Sequence, residues 1–406
     1  MRIIIISPFD VIPEDGLRPG RIWNYVNQAG FYANEIVWIT SRYSHFHKRY
    51  RNKNNLPNDN YIPNTNIIKI DVIKYSDNVS FKRLLNHAQF GVMVYKKLKQ
   101  LISKWKPDVI LCAMPPLLTP FLVSLLGRHH GIPVIVDIND LWPEAFERFI
   151  KNSIAKKIVF FPFRIIANNA VRYSHALTGV SDDYVDHYKN YAADKPRETF
   201  HLGMSSSKFR AEIQNGWNQI IKERGQRWVT YVGTVSDNYD LNTVIMASRS
   251  FPDVKFLIVG KGEGLEYIRR EVEEKGFRNV SLTGEVPYHE LVNILYRSDI
   301  GLLTINSSAW IRFPYKANDY FVAGLPVMNS IRGGEIERVI SEYGIGETYL
   351  EGDVPDFVEK LTRLLSSLDE GMKDRALRYG AEHCDSDRIY PEFHRWISAI
   401  AVKEAV

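Results

Sequence analysis

The feature of this sequence that most constrains its fold is a series of short apolar runs that do not alternate with polar residues. Continuous runs of this kind are typical of strands buried on both faces, as in parallel sheets. Amphipathic stretches separate the runs, so the chain is predicted to be an α/β protein. The first half contains six such predicted strands: Ile3–Ser7, Glu35–Thr40, Ile67–Ile70, Val109–Ala113, Pro133–Asp137 and Ala176–Val180.

A second series of apolar runs follows in the other half of the chain. Its members are Trp228–Gly233, Lys255–Val259, Val280–Thr283, Ile300–Leu303 and Pro326–Asn329. Two series predict two doubly wound, Rossmann-like domains. The length of 406 residues agrees, because one hydrophobic core rarely organises more than about 250–300 residues. We expect domains at residues 1–185 and 200–386, with a hinge near 182–205 and a C-terminal helix, 387–406, returning to the first domain.

Composition narrows the function classes. Lys and Arg exceed Asp and Glu by five, which suits an anionic ligand or membrane face and falls short of a nucleic-acid-binding surface. The two cysteines, Cys112 and Cys384, are too few for a disulfide framework or a Cys-ligated zinc site. Ser7 ends the apolar run Ile3–Ile6, and no run approaches the ~18 residues of a membrane span. A cytoplasmic protein is expected.

Loops at the carboxyl ends of the predicted strands are where an open α/β sheet binds ligands. After the first strand, Asp15–Arg21 contains Gly16, which permits close backbone approach, and the cations Arg18 and Arg21. An ordinary strand-to-helix loop would also have this composition.

After a strand of the second half, Val259–Gly264 places Lys261 beside a predicted helix N-terminus. Leu265 stands where the dinucleotide fingerprint needs glycine, which argues against NAD, and a solvated turn lysine is the alternative.

Pro314–Val327 is the most specific stretch of the sequence. It predicts a helix with Lys316 and Asp319 three residues apart on one face, followed by Gly-Leu-Pro and a strand. A diphosphate needs a cation and a ribose diol needs a carboxylate, so this helix could hold both ends of a nucleotide diphosphate. A plain surface ion pair is the alternative.

These stretches, together with Val136–Glu144, Tyr231–Thr234, Tyr239–Leu241 and Gly284–Pro287, resemble the retaining, metal-independent GT-B glycosyltransferases. The resemblance is to glycosyltransferase family 4, in particular its bacterial surface-polysaccharide branch. It implies a GT-B fold, with two Rossmann-like domains and an interdomain cleft. It also implies hexosyl or N-acetylhexosaminyl transfer from a UDP-linked sugar to a lipid-linked glycan acceptor, with no metal cofactor. The first domain would bind the acceptor and the second the nucleotide-sugar donor.

The resemblance also assigns roles to individual residues. The implied catalytic residues are Asp140, Lys261 and Lys316; the donor-binding residues are Gly16, Arg18, Gly233, Thr234, Gly260, Gly262, Glu263, Val286 and Asp319; and the acceptor-side residues are Asn139, Trp142 and Glu144. The chain departs from the family at three places. Asn139 replaces a histidine, the loop Gly233–Leu241 lacks the usual Arg and Lys, and Ile311 replaces a glutamate that contacts the donor sugar.

Two segments interleave basic and large apolar residues, as segments at membrane interfaces do. They are Lys156–Ile166 and His45–Arg51. They predict peripheral binding to the anionic inner face of the plasma membrane, whereas a core-packed helix with a basic edge is the alternative for the first segment.

The resemblance implies a reaction that retains the anomeric configuration, in which the departing phosphate helps to take the acceptor proton. No protein nucleophile is required. Two other functions stay open on the sequence alone. One is a GT-B nucleotide-sugar epimerase or hydrolase, and the other is a non-catalytic nucleotide-sugar-binding protein.

Overall fold

Each half of the chain forms a parallel β-sheet, as the apolar runs predict. In the computed structural model, the described residues are 1–32, 34–53, 62, 64–214 and 219–403. The chain divides into two compact units, Met1–Phe200 with Tyr390–Val406 and His201–Ile389. No helix of the described residues combines the length and apolar character needed to cross a membrane.

The first unit is built on a seven-stranded parallel sheet. Its strands are β1 (Arg2–Ile6), β2 (Glu35–Ser41), β5 (Thr65–Ile70), β6 (Val109–Met114), β7 (Val134–Ile138), β8 (Ala176–Gly179) and β9 (Arg197–Thr199), and β3 (Tyr43–Ser44) and β4 (Arg49–Tyr50) form a separate short hairpin. The order across the sheet is β5-β2-β1-β6-β7-β8-β9. The helices are α1 (Arg21–Phe31), α2 (Phe81–Trp105), α3 (Leu118–His130), α4 (Ser153–Tyr173) and α5 (Asp182–His187).

The second unit has a six-stranded parallel sheet in the order β12-β11-β10-β13-β14-β15. The strands are β10 (Arg227–Val232), β11 (Val254–Val259), β12 (Val280–Gly284), β13 (Ile300–Leu303), β14 (Val327–Asn329) and β15 (Gly346–Thr348). The helices are α6 (Ser206–Glu212), α7 (Leu241–Ala247), α8 (Leu265–Glu274), α9 (Tyr288–Arg297), α10 (Tyr315–Val322), α11 (Glu335–Tyr343), α12 (Val354–Ser367) and α13 (Glu370–Tyr379), and the last helix of the chain, α14 (Ser386–Lys403), begins here. Both sheets have the Rossmann order, in which the first strand lies in the middle.

Burial on both faces explains why the strand sequences do not alternate. In β10, Trp228 and Val232 pack into one core cluster while Val229 and Tyr231 pack into another. In β1, residues 3–6 are all inaccessible to solvent. The sequence therefore predicted every long strand. It missed the two-residue hairpin strands β3 and β4, and it missed β9 and β15, because these three-residue edge strands, Arg-Glu-Thr and Gly-Glu-Thr, contain no apolar run.

The last helix, α14, begins within the second unit's residues and ends within the first unit's. In the first unit its Phe393 ring packs 5.1 Å from Tyr25 and 4.8 Å from Phe200, measured between ring centroids. The apolar face of this helix, predicted over Asp387–Val402, thus lies against α1 and the chain end of the first unit. Residues 404–406 of the predicted segment lie outside the described residues.

A buried ion pair fixes the start of α1 against β7. Arg21 donates from Nε and Nη2 to the two carboxylate oxygens of Asp137, both at 2.9 Å, and from Nη1 to the Phe200 carbonyl at 2.5 Å. Both side chains are almost fully buried. The prediction that Arg21 adds charge for a ligand is therefore wrong, because its guanidinium is already fully engaged inside the unit.

Replacing Arg21 should destabilise the protein strongly. Arg21→Met leaves the buried Asp137 carboxylate without its partner, and removing one member of a buried pair costs about 3–5 kcal/mol. Arg2→Met is the matched control, because Arg2 forms an exposed pair with Glu35 at 3.4 Å. We expect that control to change stability by less than about 1 kcal/mol. Chemical denaturation of both variants measures this, and equal losses would contradict a structural role for Arg21.

Candidate functional site

The ammonium group of Lys316 is the most unusual feature of the second unit. Lys316 lies in the first turn of α10, yet only 8% of its surface is exposed. Its Nζ has no hydrogen-bond partner among the described residues. It lies 3.8 Å from the ring centroid of Tyr231 and 4.1 Å from that of Tyr239. The two rings stabilise a cation on their faces without neutralising its charge.

Burial has a clear electrostatic consequence at this lysine. It lowers the pKa of Lys316 well below its usual value, and the nearby Asp319 carboxylate only partly opposes the shift. Asp319 is itself 2% exposed. The alternative of a surface ion pair is thus excluded, because both side chains are buried and Nζ makes no hydrogen bond. A bound anion would supply the missing partner.

Gly233 lies directly beside this ammonium, at the carboxyl end of β10. A Cβ atom at Gly233 would lie 3.1 Å from the Lys316 Nζ, and the glycine has a φ of +134°. The hydroxyl of Tyr231 donates to the carbonyl of Thr234 at 2.5 Å, which holds the Tyr231 ring against the lysine. The strand, the following loop and α10 therefore meet at one point.

The glycines after β11 allow two loops to touch. A Cβ at Gly260 would lie 1.9 Å from the Gly233 carbonyl oxygen, and one at Gly262 would lie 2.1 Å from that of Val235. No side chain fits at either position. The loop after β11 thus supports the loop that carries Gly233, so packing alone accounts for these two glycines.

The flanking residues of that glycine loop are exposed. Lys261 Nζ lies 2.5 Å from Glu285 Oε2, with 69% of its side chain exposed, and Glu263 is exposed as well. The first N–H groups of α8 are partly used, since Gly264 donates to Val235 O and Leu265 to Gly262 O. Val286 is half-buried against the core. Lys261 therefore offers a screened surface charge, unlike Lys316.

A cavity of about 380 Å³ adjoins the same loop. Its wall includes Tyr239 and Asp240 from the loop after β10, Gly264 at the start of α8, and Glu351. Tyr239 thus contacts both the cavity and the buried ammonium. The described residues contain no group of three or more His, Cys, Asp or Glu side chains that could hold a metal ion.

In the first unit, Gly16 ends a short 3-10 helix with a φ of +64°, and nothing lies within 4 Å of where its Cβ would be. Arg18 is exposed.

Asn139 donates to the carbonyl and carboxylate of Asp137 at 3.1 and 3.3 Å. The Trp142 indole N–H donates to Asp140 Oδ2 at 2.9 Å, so the structure brings these two predicted residues together.

Glu144 is buried and accepts a hydrogen bond from Arg164 Nε at 3.1 Å. Both residues line a cavity of about 250 Å³ in the first unit. The predicted acceptor-side Glu144 is thus held in an ion pair with α4.

A cluster of basic and aromatic side chains around Trp142 was not predicted from the sequence. The Arg83 guanidinium carbon lies 4.8 Å from the Trp142 ring and 5.5 Å from the Phe9 ring. The His87 ring lies 5.3 Å from Trp142 and 5.2 Å from Phe9. Arg83 and His87 are four residues apart on α2, and this spacing alone could have predicted that they share one face of the helix. Their grouping with Phe9 and Trp142 depends on the tertiary fold.

The comparisons with known proteins agree with this architecture. Residues 216–382 match the family model described as glycosyl transferases group 1. No curated protein matches the sequence. Among solved structures, sucrose-phosphate synthase from Thermosynechococcus elongatus is similar with a TM-score of 0.71 and 12% identity over 98% of each chain.

Two further solved structures are similar over the same extent. Anabaena HepE in complex with UDP has a TM-score of 0.68 and 12% identity, covering 98% of this chain and 100% of its own. WaaG, a glycosyltransferase involved in lipopolysaccharide biosynthesis, has a TM-score of 0.62 and 14% identity, covering 98% and 99%. The fold and the matched segment define a glycosyltransferase of the GT-B fold. Within the second unit, residues 216–382 are the part of the chain that is similar to the glycosyl transferases group 1.

The lowered pKa of Lys316 predicts a pH dependence of stability. Between that lowered value and the usual 10.5, the unfolded chain binds a proton that the folded chain does not. The free energy of unfolding contributed by Lys316 therefore rises with pH across this window. Lys316→Met should flatten this rise in denaturation experiments at increasing pH below 10.5. Lys275→Met, at a lysine paired with Glu271 on α8, should leave the slope unchanged. Identical slopes in all three proteins would disprove the assignment.

Proposed function

We propose that this protein is a retaining glycosyltransferase that moves a sugar from a UDP-linked donor to a lipid-linked glycan acceptor in bacterial surface-polysaccharide synthesis. The observation that carries the proposal is the buried Lys316 ammonium, which has no hydrogen-bond partner among the described residues. In this proposal His201–Ile389 binds the nucleotide-sugar donor and the remaining chain binds the acceptor.

A diphosphate is the anion that best suits this site. The ammonium lies beside Gly233, where the missing side chain leaves the backbone open to close approach. A sugar diphosphate develops further negative charge as its glycosidic bond breaks, so a desolvated cation stabilises the leaving group more than the bound substrate. The relatives support UDP as the nucleotide, since HepE is described in complex with UDP and with UDP-glucose.

The other donor contacts are proposed from the resemblance to the GT-B glycosyltransferases. Asp319, one turn further along α10, would accept from the ribose hydroxyls, and Val286 would lie beside the base. Thr234, Gly260, Gly262 and Glu263 would shape the diphosphate side, and exposed Lys261 would add long-range attraction. Gly16 and Arg18 remain proposed donor contacts from the first unit.

In the proposed reaction the bond between the anomeric carbon and the diphosphate oxygen breaks while the acceptor hydroxyl attacks from the same face. The departing phosphate oxygen takes the hydroxyl proton, so the products are the glycosylated acceptor and UDP. Lys316 stabilises the charge on the diphosphate, and we propose that this occurs without a metal ion. Asp140, Asn139, Trp142 and Glu144 are the proposed acceptor-side residues.

Lys316→Met tests the donor assignment by separating binding from stability. The substitution removes a buried charge without a hydrogen-bond partner, so the ligand-free protein should keep or slightly raise its melting temperature. Turnover of a UDP-sugar should fall by at least about 100-fold, as when one transition-state donor is lost. The shift in melting temperature that UDP produces in the wild type should disappear.

The matched control for this test is Lys261→Met, at the exposed lysine, which should reduce turnover only a few-fold. Wild-type turnover in Lys316→Met would falsify the donor assignment. UDP release by the wild type that is independent of any acceptor would indicate a hydrolase instead of a transferase.

The helices on one face of the first sheet support a membrane-associated acceptor. The sequences of α2, α3 and α4 contain eleven Lys and Arg residues and no Asp or Glu. On α4, residues Ile154, Ile158, Phe161 and Ile165 form one stripe at helical spacing, and each is 42–69% exposed. The core-packed alternative for Lys156–Ile166 does not hold for this stripe. An apolar stripe on a helix whose own sequence has basic and no acidic residues suits an anionic lipid surface.

The second predicted interfacial segment contributes less. Arg51 is 5% exposed and pairs with Asp15 at 2.6 Å, so it offers no charge to a membrane. Phe46 and Tyr50 are the exposed apolar residues of that segment. The proposed membrane contact therefore rests on α4 and its neighbours.

Vesicle sedimentation tests this contact. The wild type should bind phosphatidylcholine vesicles that contain phosphatidylglycerol, and high salt should weaken the binding. The double variant Ile158→Ser with Phe161→Ser should lose most of it, whereas Ile221→Ser, at a residue 74% exposed in the second unit, should not. Equal binding to neutral vesicles would contradict the proposal. Dimerisation abolished by the double variant would instead identify the stripe as an interface between copies.

A further inference from the structure

The basic cluster around Arg83 in the first unit is not explained by the proposed donor site. Besides contacting Trp142 and Phe9, the guanidinium lies 5.8 Å from the Tyr75 ring. Lys48 Nζ lies 4.8 Å from the same ring and 3.5 Å from His45 Nδ1. His45 Nδ1 is also 2.7 Å from the Tyr75 hydroxyl. Two cations and two histidines are thus gathered around three aromatic rings.

This cluster has an excess of positive charge. Within the described part of the chain, no carboxylate lies within ion-pair distance of Arg83 or Lys48, and Asp140 and Asp77 attract these two cations only from further away. Burial lowers the pKa of Lys48, and the charge of Arg83 lowers it further. Burial and Arg83 also lower the pKa of His45 to about 4 and that of His87 to about 3. Both imidazoles are therefore neutral near pH 7 and can still donate or accept hydrogen bonds.

Two polar atoms of the cluster have no partner inside the described chain. They are Nε of Arg83 and Nε2 of His87, and the His87 side chain is more than nine-tenths buried. Buried nitrogens of this kind are normally satisfied, so each indicates a group that the chain itself does not supply. An anion with several acceptor oxygens would satisfy them and balance both cations.

The start of α2 adds a second property to this site. Ser80 caps the helix through a hydrogen bond from the Arg83 N–H, and the first turn contains no acidic residue. The positive end of the helix dipole therefore also favours an anion. Near Arg83 in the chain, the apolar side chains of Val79, Phe81, Leu84 and Leu85 are 43–73% exposed. A cationic site at the start of a helix that also exposes apolar side chains in its first turns fits an amphiphilic anion better than a fully hydrated one.

We propose that Arg83 and Lys48 bind the phosphate group of an alkyl phosphate ester whose chain lies on the exposed apolar residues from Val79 to Leu85. Phosphate is favoured over a carboxylate because it carries close to two negative charges and three acceptor oxygens near pH 7, which matches two cations and two imidazoles. The binding site itself does not depend on the proposed reaction. Its assignment to the acceptor rests on the proposed function, in which a diphosphate between the lipid and the glycan would bring a comparable pair of negative charges.

Calorimetry with octyl phosphate below its micelle concentration tests the site. We expect saturable binding by the wild type, at least about tenfold weaker binding by Arg83→Gln, and a several-fold loss in Lys48→Gln. Lys96→Gln, at an exposed lysine further along α2, should bind as the wild type does. Inorganic phosphate should bind more weakly than octyl phosphate because it lacks the chain, and uncharged octyl glucoside should not bind.

Three results would overturn the proposal. Equal affinity for octyl glucoside would leave only an apolar surface, and equal affinity for inorganic phosphate would show a free-phosphate site without a lipid contact. Unchanged octyl phosphate binding in correctly folded Arg83→Gln and Lys48→Gln would exclude the cluster itself. Lys316→Met should keep octyl phosphate binding while losing UDP, so failure of the donor proposal and failure of this one are distinguishable.

Discussion

Both sheets are covered on both faces, and this constraint decides where polar chemistry can occur. Residues 3–6 of β1 are inaccessible to solvent, and β10 contributes side chains to two separate core clusters. The strands therefore leave their faces no room for a ligand, and polar groups are offered at the carboxyl edges, where loops and helix starts begin. Lys316 and Gly233 in one unit, and Trp142 and Phe9 in the other, all lie in segments that follow strands.

The environment of Lys316 shows how such an edge can keep a charge available. A carboxylate partner would neutralise the ammonium and compete with a phosphate for it. Tyr231 and Tyr239 instead present ring faces at 3.8 and 4.1 Å, which stabilise the cation and leave its hydrogen-bonding capacity unused. The ligand-free fold bears the cost of desolvation, so stability and ligand binding make opposite demands on this side chain.

The sequence predicts much of this fold and part of the candidate site. Apolar runs predict the long strands, because a strand that is buried on both faces needs apolar residues at consecutive positions. Lys316 and the later Gly324 predict where α10 lies. The functions of single cations were harder to predict. In the sequence, Arg21 was predicted to be a cation available to a ligand. The structure pairs it with Asp137, which lies 116 residues away in sequence. The packing of Tyr231 and Tyr239 on Lys316 and the grouping of Arg83 with Trp142 likewise depend on contacts between distant segments, which no local sequence pattern predicts.

The two proposed anion sites differ in a way that matches their proposed ligands. Lys316 is enclosed by aromatic rings beside a bare backbone glycine, which suits a compact diphosphate delivered from water. Arg83 lies near the start of α2, a helix without Asp or Glu that also exposes Phe81, Leu84 and Leu85, which suits an anion attached to a hydrocarbon chain. A transferase that joins a water-soluble donor to a lipid-linked acceptor needs both kinds of site. Because α2, α3 and α4 themselves contain no Asp or Glu, these helices would not repel an anionic membrane at the place where the chain of such an acceptor is proposed to enter.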